Sequence, residues 1–336
     1  MTGRSFRFGY GLFLHSPFYH TKSGLSFTYL LYLNNAEKMI EYKFWIGDCL
    51  SLLRRYREAL AELFSLSQMK STLPKFHFSG LNKQLSIASD IPIEYGKIQR
   101  IIRECYDFVR QNGMSGSESM ILLNESFLSR YRYNYERALS LSMEGFAKYN
   151  GSAAKYTKIS HYNDVMSNLT ALKRLAELKE WFVKLQNLDT SFAVSKQLHT
   201  LHYQAEIALL EGNPKAAHEF AVRRLRRDRE TGGDCYSSLR LIIRTGIAAG
   251  ERDSLPEHLI AIARLRNSED GHCRYTVQKL FGEYYAARYK RGRRASDLSA
   301  ARRCLLRALK IGTQIDRLLE CDGRQKEIAE LLGELG

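Results

Sequence analysis

The chain has 336 residues, 44% of them hydrophobic, which suffices for a substantial buried core and excludes a disordered chain. Only five prolines occur (Pro17, Pro74, Pro92, Pro214 and Pro256), too few for the turn punctuation of a β-sandwich of this size. The net charge of +15 suits phosphate, anionic lipid or acidic protein partners and selects none of them.

Residues 1–35 are rich in aromatics (Phe6, Phe8, Tyr10, Phe13, Phe18, Tyr19) without helical periodicity, and read as an arm over the first helices or as a disordered tail. His15 and Pro17 break the apolar stretch that follows Arg4 and Arg7, so a signal peptide is not expected. The apolar run 25–33 is far short of the roughly 20 residues of a spanning helix. Six cysteines (Cys49, Cys105, Cys235, Cys273, Cys304, Cys321) form no Cys-x-x-Cys pair, the usage of buried, reduced thiols. Together these features predict a cytoplasmic chain without a membrane span.

From residue 36 onward a pattern repeats. Trp45, Ile46, Gly47 and Leu50 are followed by Tyr56, Ala59, Leu63 and Leu66, two apolar stripes at helical spacing with small residues at Gly47 and Ala59. Ser126, Tyr135 and Ala138 form a weaker copy. Leu201, Tyr203, Ala205 and Ala208 lead through Gly212-Asn213-Pro214 to Ala217 and Ala221, where Gly ends one helix and Pro opens the next. A helix over 242–249 closes at Gly250. Phe281, Gly282, Tyr284 and Tyr285 resume at Ala301, Leu305 and Ala308, with the small positions nineteen residues apart instead of twelve. The excess predicts a swollen basic loop around Arg291-Gly292-Arg293-Arg294. The small positions at 47, 126, 205, 243 and 282 imply a period near 39, with unmarked units near 87–103 and 165–185. Over 323–336, Ile328, Leu331, Leu332 and Leu335 share one face and predict an amphipathic capping helix.

These paired stripes with small residues at the helix contact resemble the tetratricopeptide repeat, although the period is longer and no unit carries the whole signature. The resemblance covers roughly residues 40–320. It implies an all-α, right-handed superhelical solenoid of antiparallel helix pairs, about seven repeats over 36–322, followed by the capping helix at 323–336.

In that family the first helix of each pair lines a concave groove. Carried over unit by unit, the lining becomes Phe127 and Arg130; His161, Asp164 and Asn168; His199, His202 and Glu206; Arg240 and Arg244; and Lys279 and Glu283. Arg130, Asn168, His199, His202, Arg240, Arg244 and Lys279 are the candidate partner-binding residues, in a polar, mainly basic run suited to an acidic peptide or helix. The alternative is a set of solvated residues with no ligand. Phe44 and Asp48 stand where chaperone-tail-binding members carry Lys and Asn, which argues against that subtype.

A second basic feature comprises Arg223, Arg224, Arg226 and Arg227 at a predicted helix end, with Arg291, Arg293 and Arg294. Such arginines complement a helix dipole or contact phosphates. Phe44, Arg130, Asn168, His202, Arg240 and Lys279 show no recurring base-selecting pattern, so base-by-base RNA reading is not expected.

Phosphate-loop, nucleophile-elbow and His-Glu-x-x-His motifs are absent. His199 and His202 lie three apart without a third ligand at suggestive spacing, and read as a polar pair rather than a metal site. The expectation is therefore a non-enzymatic adaptor or regulatory sensor without cofactor or metal, with nucleic-acid binding as the alternative.

Overall fold

The computed structural model describes residues 36–336 except 54, 68–73, 89–90, 92, 150–154, 189–192, 234, 252–253 and 265–269. The expected arm over 1–35 lies outside the described residues.

Among these, fifteen α-helices and one short 3-10 turn occur, with no strand. They are α1 (Ala36–Leu52), α2 (Tyr56–Ser67), α3 (Pro74–Ala88), α4 (Tyr95–Gln111), α5 (Glu118–Tyr131), α6 (Tyr135–Lys148), α7 (Lys155–Ala171), α8 (Leu175–Gln186), α9 (Ala193–Leu210) and α10 (Pro214–Glu230). After them come α11 (Tyr236–Ala249), α12 (Leu255–Ala263), α13 (Gly271–Gly292), α14 (Ala295–Leu319) and α15 (Gly323–Gly333). None is long and apolar enough to cross a membrane.

The local causes are visible in the sequence. In α4, Ile98, Ile102, Cys105 and Val109 recur at helical spacing and are all buried. Asn134, Asn213 and Asp270 each cap a helix by accepting from a backbone amide three residues on, and Pro214 stands in the first turn of α10. Three pairs close with the same three-residue turn, whose middle residue is left-handed: Tyr133, Lys173 and Gly212. Glycine adopts that conformation without strain, whereas Tyr133 and Lys173 each cost on the order of 1 kcal/mol.

Consecutive helices pack against each other along the chain. The two helices of a pair run antiparallel: in α5 and α6, Ser126 Oγ donates to the Ala138 carbonyl while Glu118 pairs with Lys148. The small positions do what their spacing predicts. A methyl on Gly47 would stand 2.7 Å from Leu63, and one on Gly282 would stand 2.5 Å from Leu305, so both helices approach closer than any other residue allows. Ala205 and Ala217 are fully buried at the corresponding places.

From one pair to the next, the odd-numbered helices touch one another from α1 through α13. Polar bonds cross this layer at near-repeat intervals: Lys83 to Asp48, Asn124 to Asn82, Asn168 to Ser126, Tyr203 to Asn163 and Arg244 to Glu206.

The end of the chain returns to its middle. Ile328 of α15 and Leu335 just beyond it join Ile315 and Leu319 of α14 in one buried apolar cluster. The polar face of α15 does something the sequence reading did not anticipate. The Glu327 carboxylate accepts from Tyr133 at 2.8 Å and Tyr275 at 2.5 Å and pairs with Lys279. Arg324, 2% exposed, pairs with fully buried Asp316 at 2.8 Å and donates to His272 Nδ1 at 2.9 Å. Tyr131 stacks on His272, and Arg132 donates to the Glu320 carbonyl. The α5–α6 turn is thereby clasped to α13, α14 and α15.

The expected swollen loop is corrected. Helix α13 continues to Gly292 and α14 begins at Ala295, so the seven extra residues lengthen the two helices. Tyr284–Tyr289 and Ser296–Ala300 carry no helix breaker, and continuing the backbone hydrogen-bond ladder is favoured over a loop.

Candidate functional site

The seven residues expected to line a groove fall into two groups. Arg130 is engaged inside the layer: its guanidinium, 20% exposed, donates to Asp164 at 2.6 Å and to Asn168 at 3.1 Å. Asn168 is fully buried and also donates to Ser126 and Ser142. Burial pushes the Asp164 carboxyl up, and Arg130 pulls it back. Lys279 is held between Glu327 and Glu283. These three residues tie the fold together and are not a free lining.

His199, His202, Arg240 and Arg244 do converge. Helix α9 supplies His199, His202 and Glu206, and α11 supplies Arg240 and Arg244. Helix α10 adds Arg224, which the sequence placed in the helix-end basic cluster as a dipole-complementing or phosphate-contacting residue; instead it is 8% exposed and donates from Nε to the Leu198 carbonyl. Its burial was readable, because Ala217, Ala221, Arg224 and Asp228 fall on one helical stripe, and all four are buried.

Glu206, 4% exposed, forms a two-point pair with Arg244 at 2.8 and 3.3 Å and stands 3.9 Å from His202 Nε2. Glu283 also faces Arg244 and Lys279. The half-buried side chain of Arg240 makes no hydrogen bond or ion pair among the described residues. Burial and then Arg224 push His199 down to about 4. Burial, followed by Arg224, Arg240, His199 and Arg244, holds His202 well below the ordinary imidazole range. Both rings are neutral at pH 7, and His202 Nδ1 is buried without a hydrogen-bond partner among the described residues. The face therefore sets neutral imidazoles and guanidinium groups around the Glu206 carboxylate, and the Arg240 side chain makes no ion pair among the described residues. It can accept an anion through charge-assisted hydrogen bonds.

The remaining basic residues do not form one surface. Ser238 donates to Asp228, and His218 stands 3.2 Å from Thr245, so α10 and α11 run antiparallel. Arg223, Arg226 and Arg227 belong to the Ser238 end. Arg226 is exposed, Arg223 lies over the Phe220 ring and Arg227 pairs with Glu230. Arg291 donates to the carbonyl of Gly250, at the far end of α11, with exposed Arg293 and Arg294 beside it in the chain. Twelve residues of helix separate Ser238 from Gly250, about 18 Å.

No group of three or more His, Cys, Asp and Glu among the described residues could hold a metal ion. Cys105 and Cys273 are buried and the other four cysteines are half-buried. What sequence reasoning missed entirely is the Asp316–Arg324–His272 core and the tyrosines around Glu327, since nothing in a local repeat announces contacts such as Arg324 to His272, 52 residues apart, or Glu327 to Tyr133, 194 apart. Compared with known proteins, the chain matches no family model and no curated protein.

Proposed function

We propose that the chain is a non-enzymatic scaffold: a right-handed superhelical stack of about seven tetratricopeptide-like pairs that docks an acidic peptide segment or helix of a partner protein across α9 and α11. The observation that carries this reading is Arg240, a half-buried guanidinium without a counter-ion beside Arg224, Arg244 and two neutral histidines. A carboxylate there gains two-point hydrogen bonds and relieves the repulsion among the arginines. The continuous layer of odd-numbered helices and the recurring left-handed turn support the repeat architecture.

A fluorescein-labelled, Glu-rich peptide tests the reading by polarization titration at low and moderate salt. Binding should be saturable and should fall at least tenfold in Arg240→Glu, with the far-UV circular dichroism unchanged. Equal binding by Arg240→Glu removes α9–α11 as the docking face. The alternative reading, nucleic-acid binding, is the less favoured because its two arginine groups lie at opposite ends of α11 instead of along one track.

A further inference from the structure

The hairpin of α13 and α14 is longer than its counterparts. Helix α13 runs ten residues past Gly282, whereas α1, α5 and α9 end five residues past Gly47, Ser126 and Ala205. Helix α14 starts six residues before Ala301, whereas α2, α6 and α10 start three before Ala59, Ala138 and Ala217. The stacking contact itself, Gly282 on Leu305, is the same as Gly47 on Leu63. The extension is therefore not needed to pack the pair. At 1.5 Å per residue it carries the end of α13 about 7 Å further than the other first helices reach.

The neighbouring α11 has no such extension. It stops at Ala249, and Gly250 turns the chain toward α12 with a left-handed φ of 82°. Between the overhang and this turn lies a cleft of about 430 Å³, within the size range of small-molecule sites. Ile247, Leu255, Tyr284 and Ala287 supply apolar wall, and Leu255 and Tyr284 are themselves buried in the core.

Three guanidinium groups and two carboxylates complete the lining. Asp297, 5% exposed, is neutralised by Arg288 at 3.3 Å, and Arg288 also lies over the rings of Tyr284 and Tyr285. Arg291 uses one N–H on the Gly250 carbonyl at 2.9 Å, which leaves the rest of its fork open. The exposed side chain of Arg294 makes no hydrogen bond or ion pair among the described residues. Glu251 is exposed. The cleft thus pairs an apolar wall with two cations whose donors are unfilled.

We infer that this cleft binds a small amphiphilic anion: a flat or branched apolar body against Ile247, Leu255, Tyr284 and Ala287, with a carboxylate or sulfonate held by Arg291 and Arg294. A nucleic-acid backbone is the poorer occupant, because it brings no apolar group to the wall of Ile247, Leu255, Tyr284 and Ala287. The site is separate from the α9–α11 docking face, and either can fail without the other.

The test uses the full chain and 1-anilinonaphthalene-8-sulfonate, whose fused ring and sulfonate match the two halves of the cleft. Fluorescence should rise saturably with one site per chain. Arg294→Glu should weaken binding at least tenfold, Ala287→Trp should abolish it by filling the cleft, and Arg226→Glu at the other end of α11 should leave it unchanged. An aromatic carboxylate should displace the probe. Arg294→Glu changes an exposed residue, so it remains informative if the tryptophan variant does not fold. Absence of a saturable site, or equal affinity in wild type and Arg294→Glu, overturns the inference. So does displacement by a single-stranded oligonucleotide but not by the aromatic carboxylate.

Discussion

Arg130 on α5 and Arg240 on α11 were assigned to the same lining from the same repeat, yet they meet opposite fates. In the next odd-numbered helix Arg130 finds Asp164 and Asn168, 34 and 38 residues on, and becomes part of the interior. The same distances from Arg240 end at Arg274 and Gln278, neither of them an acid. A basic residue in a repeat is available to a partner only when the following unit lacks an acid to receive it. Arg244 stands between the two cases: it is paired backward to Glu206 but remains 40% exposed.

From that contrast, the cost of removing a charge should scale with how completely it is enclosed. The largest effect belongs to Asp316→Ala, which strands Arg324 in a site where both side chains are at most 3% exposed. A loss of about 3–5 kcal/mol is expected, read as a large drop in the urea midpoint. Asp164→Ala should cost less, about 2–3 kcal/mol, because Arg130 keeps partial access to water and a second partner in Asn168. Arg240→Glu should change stability by less than about 0.5 kcal/mol, since no internal partner is lost. A reversal of this order in denaturation midpoints would break the comparison between enclosed and available arginines.

Acid sharpens it. Burial holds His161, His199, His202 and His272 below the usual imidazole range, His161 and His199 at about 4. The unfolded chain takes up those protons near pH 6.5, before the folded chain does. Stability is therefore complete above about pH 6.5 and is lost as pH falls from there toward about 4. Urea midpoints measured from pH 7.5 to pH 5 should decline, and His161→Met should flatten the decline because His161 is fully buried. A flat profile in the wild type would contradict the buried, neutral histidines.

A separate pair of glycine variants tests the close approach of the helices. Gly282→Ala places a methyl 2.5 Å from Leu305 and should cost about 1–3 kcal/mol through overpacking. Gly333→Ala, where a methyl meets nothing within 4 Å, should be near neutral or stabilising. Thermal melts of the two variants give the comparison.

The helices and the seam between them were legible because they rest on local chemistry. Gly47 with Ala59, Ala205 with Ala217 and the Gly212-Asn213-Pro214 turn each announce their packing within a few dozen residues. The site was half legible. Projection through the repeat brought His199, His202, Arg240 and Arg244 to one face. It could not tell that Arg130 and Lys279 are enclosed, because that depends on which acids the neighbouring helices present. The seven-residue excess before Ala301 was visible, but its form was misread: with no breaker before Gly292, the helices lengthened.

The bonds from Glu327 and Arg324 to Tyr133 and His272 also bear on how the molecule comes apart. Solenoids open piecemeal from their ends, since each unit answers only to its neighbours. Here α15 is bonded to the α5–α6 turn and to α13, so fraying of α15 must break bonds to helices in the middle of the chain. Amide protons in α13 to α15 should exchange at rates that follow those of α5 and α6, as members of one cooperative block and not as a loose tail.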